Sequence, residues 1–134
     1  MQDGVPSDSG AGSRKTAVAA ARAAADKQAE DVVILDVHEL IVITDFFVLC
    51  TGTSDRQVRT LVEEVEKALR EVGHKPVRRE GEQESRWVLL DYVDVVVHVF
   101  APEERDFYDL ERLWLDAPRI EWADEGGVAV SAAD

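Results

Sequence analysis

The feature that most constrains the fold is a complete helix signal in the middle of the chain. Ser54, followed three positions later by Gln57, matches a capping box, in which the hydroxyl and the side-chain amide each pair with an otherwise unpaired backbone N–H. Apolar residues then recur at helical spacing as far as Val72, and Gly73 supplies a left-handed stop. The pattern predicts an amphipathic helix over residues 55–72 with one buried face.

The segments on either side of this helix have helix and strand composition. An alanine-rich stretch over residues 16–29 predicts a first helix whose small side chains allow close packing. Residues 31–37 and 46–52 are mostly apolar and rich in β-branched or aromatic side chains, which is typical of strands covered on both faces. After the central helix, the segments KPVRRE, SRWVLLD and DVVVHVF predict three strands with antiparallel neighbours.

A short helix is predicted to close the domain. Pro102, followed by two glutamates, is typical of a helix start. Phe107, Leu110 and Trp114 share one face of this helix and are expected to point toward the core. The opposite side carries Tyr108, Glu111 and Arg112. The order α, β, β, α, β, β, β, α predicts a single α/β domain with a mixed sheet of about five strands flanked by helices, including a parallel crossover around the central helix.

Composition marks the limits of this domain. The first residues are rich in Gly, Ser and Asp, with too little apolar content to offset the entropy of ordering, so residues 1–14 are predicted to be a disordered tail. The folded domain is expected over residues 15–122. A second disordered tail, residues 123–134, is predicted after the last aromatic residue because it contains paired glycines.

Charge and cysteine content limit the partners and the compartment. With 28 acidic and 15 basic residues the net charge is −13, which disfavours capture of a nucleic-acid backbone because that requires clustered Lys and Arg. A basic protein surface is a better match. Cys50 is the single cysteine, so no intrachain disulfide can form. Without a membrane-spanning run or a recognisable secretion or transit signal, the protein is expected to be cytoplasmic.

The stretch WVLLDYVDVVVHVF raises the question of an active site. Asp91, Asp94 and His98 interrupt its apolar residues. Together with Ser54 they follow the Ser, Asp, His order of some hydrolases, but Arg56 stands where a nucleophile elbow needs a second glycine. The spacing therefore favours a hydrogen-bonded sheet histidine and a structural serine over a catalytic triad.

The turn from Gly52 to Ser54 is a second candidate active site, because backbone N–H groups at a helix N-terminus can hold an anion. Nucleotide chemistry would also need metal-binding carboxylates or a Walker loop, and the sequence has neither an Asp-x-Asp pair nor such a loop. The histidines are dispersed, so no metal or cofactor is expected. A nucleotide- or ester-processing enzyme that uses this turn remains the alternative interpretation.

Aromatic residues in the final third of the domain favour a binding function. They are interleaved with charged residues, which is the composition of a protein-binding patch. The residues expected to contact a partner are Trp87, Asp91, Tyr92, Asp94, Tyr108 and Glu111. The acids are expected at the margin of the patch and the aromatics at its centre.

Four segments in order resemble the ribosomal silencing factor family, also called the Iojap-related family. They are AADKQAEDVVILDV, TDFFVLCTGTSDRQVRTL, RWVLLDYVDVVVHVF and EERDFYDLERLWLDAPRI, and the resemblance covers about residues 17–120. It implies a non-enzymatic translation repressor that binds the large ribosomal subunit through its protein number fourteen. Blocking of small-subunit joining is implied when nutrients are scarce, as in stationary phase. The implied fold resembles nucleotidyltransferases without their catalytic carboxylates, and some members are homodimers when free.

One position departs from the family pattern. The matching positions are Asp36, Asp45, Gly52, Ser54, Arg56, Gln57, Trp87, Asp91, Asp94, His98, Tyr108, Leu110, Glu111 and Trp114. In the turn between the last two strands the family usually has glycine, whereas this chain has Val93. A β-branched residue is costly at positive φ, so the turn is expected either to have another geometry or to have lower local stability.

Overall fold

The described part of the chain, residues 5–123 of a computed structural model, follows the predicted order of elements with one additional short helix. The helices are α1 (Val5–Asp26), α2 (Asp55–Glu71), α3 (Pro102–Tyr108) and α4 (Leu110–Leu113). The strands are β1 (Glu30–Asp36), β2 (Phe46–Thr51), β3 (Arg78–Glu80), β4 (Trp87–Asp91) and β5 (Val95–Phe100). The amphipathic helix predicted over residues 55–72 is confirmed as α2.

The five strands form one mixed sheet in the order β1-β2-β5-β4-β3. β2 and β5 are parallel neighbours, with Val48 beside Val97, because α2 and the β3–β4 hairpin lie between them in the chain. The pairs β1–β2, β5–β4 and β4–β3 are antiparallel. The predicted α/β fold with a parallel crossover and an antiparallel meander is therefore confirmed.

One face of the sheet is covered by α1 and α2. Ala17, Ala20 and Ala24 of α1 are fully buried in the core on this side. Their small side chains let the backbone of α1 approach α2 and the sheet closely. Leu61 and Val65 of α2 belong to the same core and are also fully buried. The close packing expected from the alanine-rich first helix is confirmed.

The other face of the sheet is only partly covered. Leu110 and Trp114, from α4 and the residue after it, pack with Ala117 over Phe47 and Phe100. Farther along β4 and β5 on the same side, a second group of residues is less covered. We call this region the open face and define it by Trp87, Leu89, Asp91, Val96 and His98. Of these, only the histidine is fully buried.

The start of α1 differs from the prediction. The sequence predicts a disordered tail over residues 1–14 and a helix from residue 16, whereas α1 already begins at Val5 and Ser13 is buried. The Thr16 hydroxyl donates to the Gly12 carbonyl at 3.1 Å, within the helix. Within these turns, Ser13 is buried and the Thr16 hydroxyl lies 3.2 Å from His74 Nε2, so tertiary contacts support the part of the helix that composition did not predict. The rest of the predicted tails, residues 1–4 and 124–134, lies outside the described residues.

The last helix is interrupted, which corrects the prediction for its apolar face. Asp109 adopts a left-handed conformation, with φ 49°, and divides the expected single helix into α3 and α4. Leu110 and Trp114 point toward the core as predicted, but the expectation for Phe107 was wrong, since its side chain is 80% exposed. The change of chain direction at Asp109 breaks the helical spacing that would have placed all three on one face. In residues 5–123, no helix combines the length and the apolar character that crossing a lipid bilayer requires.

Candidate partner-binding site

An aromatic cluster lies at one end of the open face. The Trp87 ring stacks on Phe100, its cross-strand neighbour, with the ring centroids 5.0 Å apart. It also lies 4.6 Å from the ring of Tyr108 on α3. Trp87 is half-buried and Tyr108 is more exposed, so the pair presents aromatic surface. The buried Phe100 ring supports this surface from the sheet side. Trp87 thus has restricted side-chain freedom together with some accessible aromatic surface.

His98 supports this cluster from within the sheet. The indole Nε1 of Trp87 donates a hydrogen bond to His98 Nδ1 at 3.1 Å. Burial, together with the positive charge of Arg105, lowers the pKa of His98 from 6.5 to about 4, so the ring is neutral near pH 7. Because Nδ1 accepts, the ring proton lies on Nε2. The prediction of a hydrogen-bonded sheet histidine is confirmed.

The pKa of His98 predicts a loss of stability in mild acid. The unfolded chain, with a pKa near 6.5, takes up a proton before the native protein does, so the contribution is intact above pH 6.5 and is lost as the pH falls toward 4. The total loss is about 3 kcal/mol. Urea unfolding at a series of pH values measures it, and His98→Gln, which keeps an acceptor for the indole, should show little of this loss.

Other titrating groups are separable from His98 in that experiment. The pKa values of Glu104 and Glu111 are held below 4.5 by hydrogen bonds from Arg86 and Arg105, so their contributions are lost only at lower pH. The pKa of His38 is raised by its hydrogen bond to Asp36, which acts in the opposite direction: it adds stability below pH 6.5. An equal pH dependence in wild type and His98→Gln would contradict the assignment to His98.

A groove of about 300 Å³ lies on the open face beside His98. Its lining residues are Ile41, Ile43, Thr44, Phe47, Arg78, Leu89, Asp91, Val93, Val96 and His98. Two of them carry buried polar atoms that have no hydrogen-bond partner in the described part of the chain, namely Nε2 of His98 and Oγ1 of Thr44. Buried polar groups of this kind are uncommon in native proteins, and each calls for an explanation.

The β4–β5 turn forms one edge of this groove. Asp91 Oδ1 accepts a hydrogen bond from the Val93 N–H at 2.8 Å, and Asp91 Oδ2 forms an ion pair with Arg78 at 3.2 Å. Val93 adopts φ 74°, so the turn keeps the left-handed geometry despite the β-branched side chain. Asp94 is exposed, and its carbonyl accepts the N–H of Asp45 from the β1–β2 loop at 2.8 Å.

The six predicted contact residues do not form one patch. Trp87, Tyr108 and Asp91 lie on the open face or at its edge. Tyr92 points to the opposite face, where its ring packs against the helix-side core and borders a cavity with Ser13. Burial raises the pKa of the Tyr92 hydroxyl to about 12.

Glu111 has a structural contact that the sequence does not indicate. Arg105, which is buried, donates to both carboxylate oxygens of Glu111, at 3.0 and 2.9 Å. The same guanidinium donates to the Thr51 hydroxyl at 2.9 Å. These bonds fix α4 to the end of β2 and lower the pKa of Glu111. The carboxylate is therefore already engaged within the chain.

The β1–β2 loop was not predicted to take part in the site. Ile41, Ile43 and Thr44 line the groove, and Ile43 is 80% exposed. The signal that could have found them is the apolar run Leu40–Ile43 outside any strand, which a solvent-exposed loop has no reason to carry. The loop and the β4–β5 turn together enclose the mouth of the groove.

The turn before α2 is a structural cap. The Ser54 hydroxyl accepts from the Gln57 N–H at 3.0 Å, and Gln57 Oε1 accepts from the Thr53 N–H at 2.6 Å. A Cβ at Gly52 would lie 2.9 Å from the backbone nitrogen of Val58, so the turn also packs tightly on α2. The predicted capping box is confirmed, with its amide reaching one residue beyond the cap. The Ser54 hydroxyl and the N–H groups of Thr53 and Gln57 are therefore engaged here by the chain itself.

The described residues contain no arrangement that would support metal or thiol chemistry. Within residues 5–123, no group of three or more His, Cys, Asp or Glu side chains is placed to hold a metal ion. Cys50 is fully buried in β2, and burial raises the pKa of its thiol to about 12. A neutral, enclosed thiol is neither a good nucleophile nor a metal ligand, as expected for a small core residue.

Known proteins resemble this chain in both sequence and structure. Residues 11–133 match the model of a family described as "Ribosomal silencing factor during starvation". The chain is 47% identical over 102 residues to ribosomal silencing factor RsfS of Halalkalibacterium halodurans, covering 76% of this chain and 87% of the relative. For the RsfS protein of Bacillus subtilis the identity is 46% over 99 residues, covering 74% and 84%. A crystal structure of a Chromobacterium violaceum protein matches with a TM-score of 0.73 at 39% identity, covering 75% of this chain and 84% of that chain.

Proposed function

Because the chain belongs to the ribosomal silencing factor family, we propose that it represses translation by binding the large ribosomal subunit and sterically blocking the small one. The proposed contact is large-subunit protein number fourteen, as the family resemblance implies. The word starvation in the family's description supports a role under nutrient limitation, including stationary phase. In this proposal the protein acts in the cytoplasm, without catalysis and without a cofactor.

The observation that carries the proposal is the open face. It combines the half-buried Trp87 and the more exposed Tyr108 with a groove lined by apolar and polar residues, of which Ile41, Ile43, Leu89, Val93 and Val96 are aliphatic. Anchored aromatic residues next to an apolar pocket supply most of the binding energy in protein interfaces. A partner that enters the groove can also give hydrogen-bond partners to the buried polar atoms of Thr44 and His98. The geometry thus favours protein binding over chemistry.

Charge supports a basic protein as the partner. The chain has a net charge of −13. At the groove itself Asp91 is paired with Arg78, so this overall charge is what favours a basic partner. Complementary charge speeds and orients the encounter, while desolvated apolar contacts supply most of the affinity. The negative charge opposes close approach to phosphates, so we propose little direct contact with ribosomal RNA.

Sedimentation with purified ribosomal subunits tests the proposal. The protein is expected to co-sediment with large subunits and not with small ones. When it is added before the two subunits are mixed, the fraction of joined ribosomes should fall as its concentration rises. The absence of both effects would overturn the proposal, whereas binding without inhibition of joining would overturn the steric step alone. Sedimentation of the free protein in the same buffer tests the homodimer that the family resemblance allows.

The alternative of a nucleotide- or ester-processing enzyme has less support. It requires a free hydroxyl or free N–H groups at the Gly52–Ser54 turn, and Gln57 engages the Ser54 hydroxyl and the Thr53 N–H. It also requires a base, and the neutral ring of His98 is held by Trp87 inside the sheet. No observation within the described residues favours this alternative over partner binding.

A further inference from the structure

Val93 is held in a conformation that its side chain disfavours. Its φ of 74° lies in the left-handed region, which is an outlier for a β-branched residue. The conformation is maintained from both sides, because the Val93 N–H donates to Asp91 Oδ1 and the Tyr92 N–H donates to the Val95 carbonyl. Strained backbone of this kind persists where the surroundings over-determine it, and it concentrates at functional positions.

The strained residue places an apolar side chain where the groove opens. Val93 is 52% exposed and lines the groove together with Ile43 from the β1–β2 loop. The hydrogen bond from the Asp45 N–H to the Asp94 carbonyl ties the two segments together. Two aliphatic side chains that are far apart in the sequence therefore line the same groove. Neither contributes to the core, so their apolar surface is available to a partner.

The groove also specifies what can enter it. Its floor contains Val96 and Leu89, and the buried Nε2–H of His98 has no acceptor among the described residues. An aliphatic side chain beside a carbonyl oxygen would match both features. At the rim, Asp91 is paired with Arg78, so the attraction to Lys or Arg residues flanking that side chain comes from the chain's net charge of −13.

We propose that Val93 is a specificity-determining contact of this groove, which receives an aliphatic side chain from a basic surface of the large-subunit partner. The inference rests on the proposed function and names a residue and a ligand chemistry for it. The Val93 side chain lowers the stability of the free protein through its backbone conformation and adds apolar contact surface to the complex. A substitution at this position should therefore change stability and affinity in opposite directions.

The test replaces Val93 with asparagine, which tolerates the left-handed region and removes the aliphatic surface. We expect Val93→Asn to raise Tm by about 3 °C and to weaken co-sedimentation with purified large subunits by about tenfold. Val42→Asn is the matched control, because Val42 is 99% exposed in the neighbouring loop and does not line the groove. The control should change neither quantity appreciably.

The outcomes separate this inference from the proposed function. If wild-type protein does not bind large subunits, the proposed function fails and the inference fails with it. If wild type and Val93→Asn bind equally well, only the inference is overturned. A variant with lower Tm and weaker binding would contradict the strain argument. If Val93→Asn instead dissociates a homodimer while subunit binding is unchanged, the groove is occupied by a second copy and the proposed occupant is wrong.

Discussion

Replacement of Trp87 by alanine is expected to weaken binding to the large ribosomal subunit by about 30-fold or more, which corresponds to about 2 kcal/mol. The indole lies between Phe100 and Tyr108 and donates to His98, so little side-chain freedom remains to be lost on binding. Its removal also frees the Tyr108 ring from its neighbour. Co-sedimentation over a series of large-subunit concentrations measures the change in affinity.

Tyr92→Ala is the matched control for this prediction. Tyr92 is also a half-buried aromatic, and it follows β4 directly, but it faces the helix side of the sheet. Both substitutions should reduce stability, and only Trp87→Ala should reduce binding. The measurements belong at a temperature where circular dichroism shows both variants folded. Equal losses of binding would mean that the effect of Trp87→Ala is a general loss of fold, and unchanged binding would remove Trp87 from the contact.

Elements whose limits are encoded locally were predictable. The cap at Ser54 and the stop at Gly73 bracket α2, and its apolar spacing agrees with both ends. The last helical segment was less predictable, because helix spacing does not encode the left-handed Asp109, beyond which Glu111 of α4 pairs with Arg105 of α3. As a result Phe107 is exposed, although helical periodicity alone predicts that it is buried.

The open face illustrates the same limit. Alternation along β4 could have placed Tyr92 on the other face of the sheet from Trp87, since side chains of a strand point alternately to its two faces. No local pattern could have paired Ile43 with Val93, because a backbone hydrogen bond between two loops brings them together. Composition identified the aromatic end of the face, and only tertiary structure shows the groove beside it.

Substitution of Gly81 by alanine is expected to destabilise the fold by at least about 3 kcal/mol. A Cβ at Gly81 would lie 2.0 Å from the Trp87 carbonyl oxygen, and the residue has φ 83°. The added Cβ and the carbonyl oxygen are both fixed by the backbone of the β3–β4 hairpin, so the clash cannot be relieved by rotating a side chain. Displacement of β3 would move Arg78 away from the edge of the groove. Urea unfolding followed by circular dichroism measures the loss of stability.

Gly73→Ala separates the clash from the backbone conformation. Gly73 has φ 94°, and a Cβ there would meet no atom within 4 Å, so its substitution carries the conformational cost alone. That cost is expected to be about 1 kcal/mol. The difference between the two variants then measures the crowding at Gly81. If both lose the same amount, the hairpin relaxes around the added methyl group, and the edge of the open face is more deformable than its hydrogen-bonded register implies.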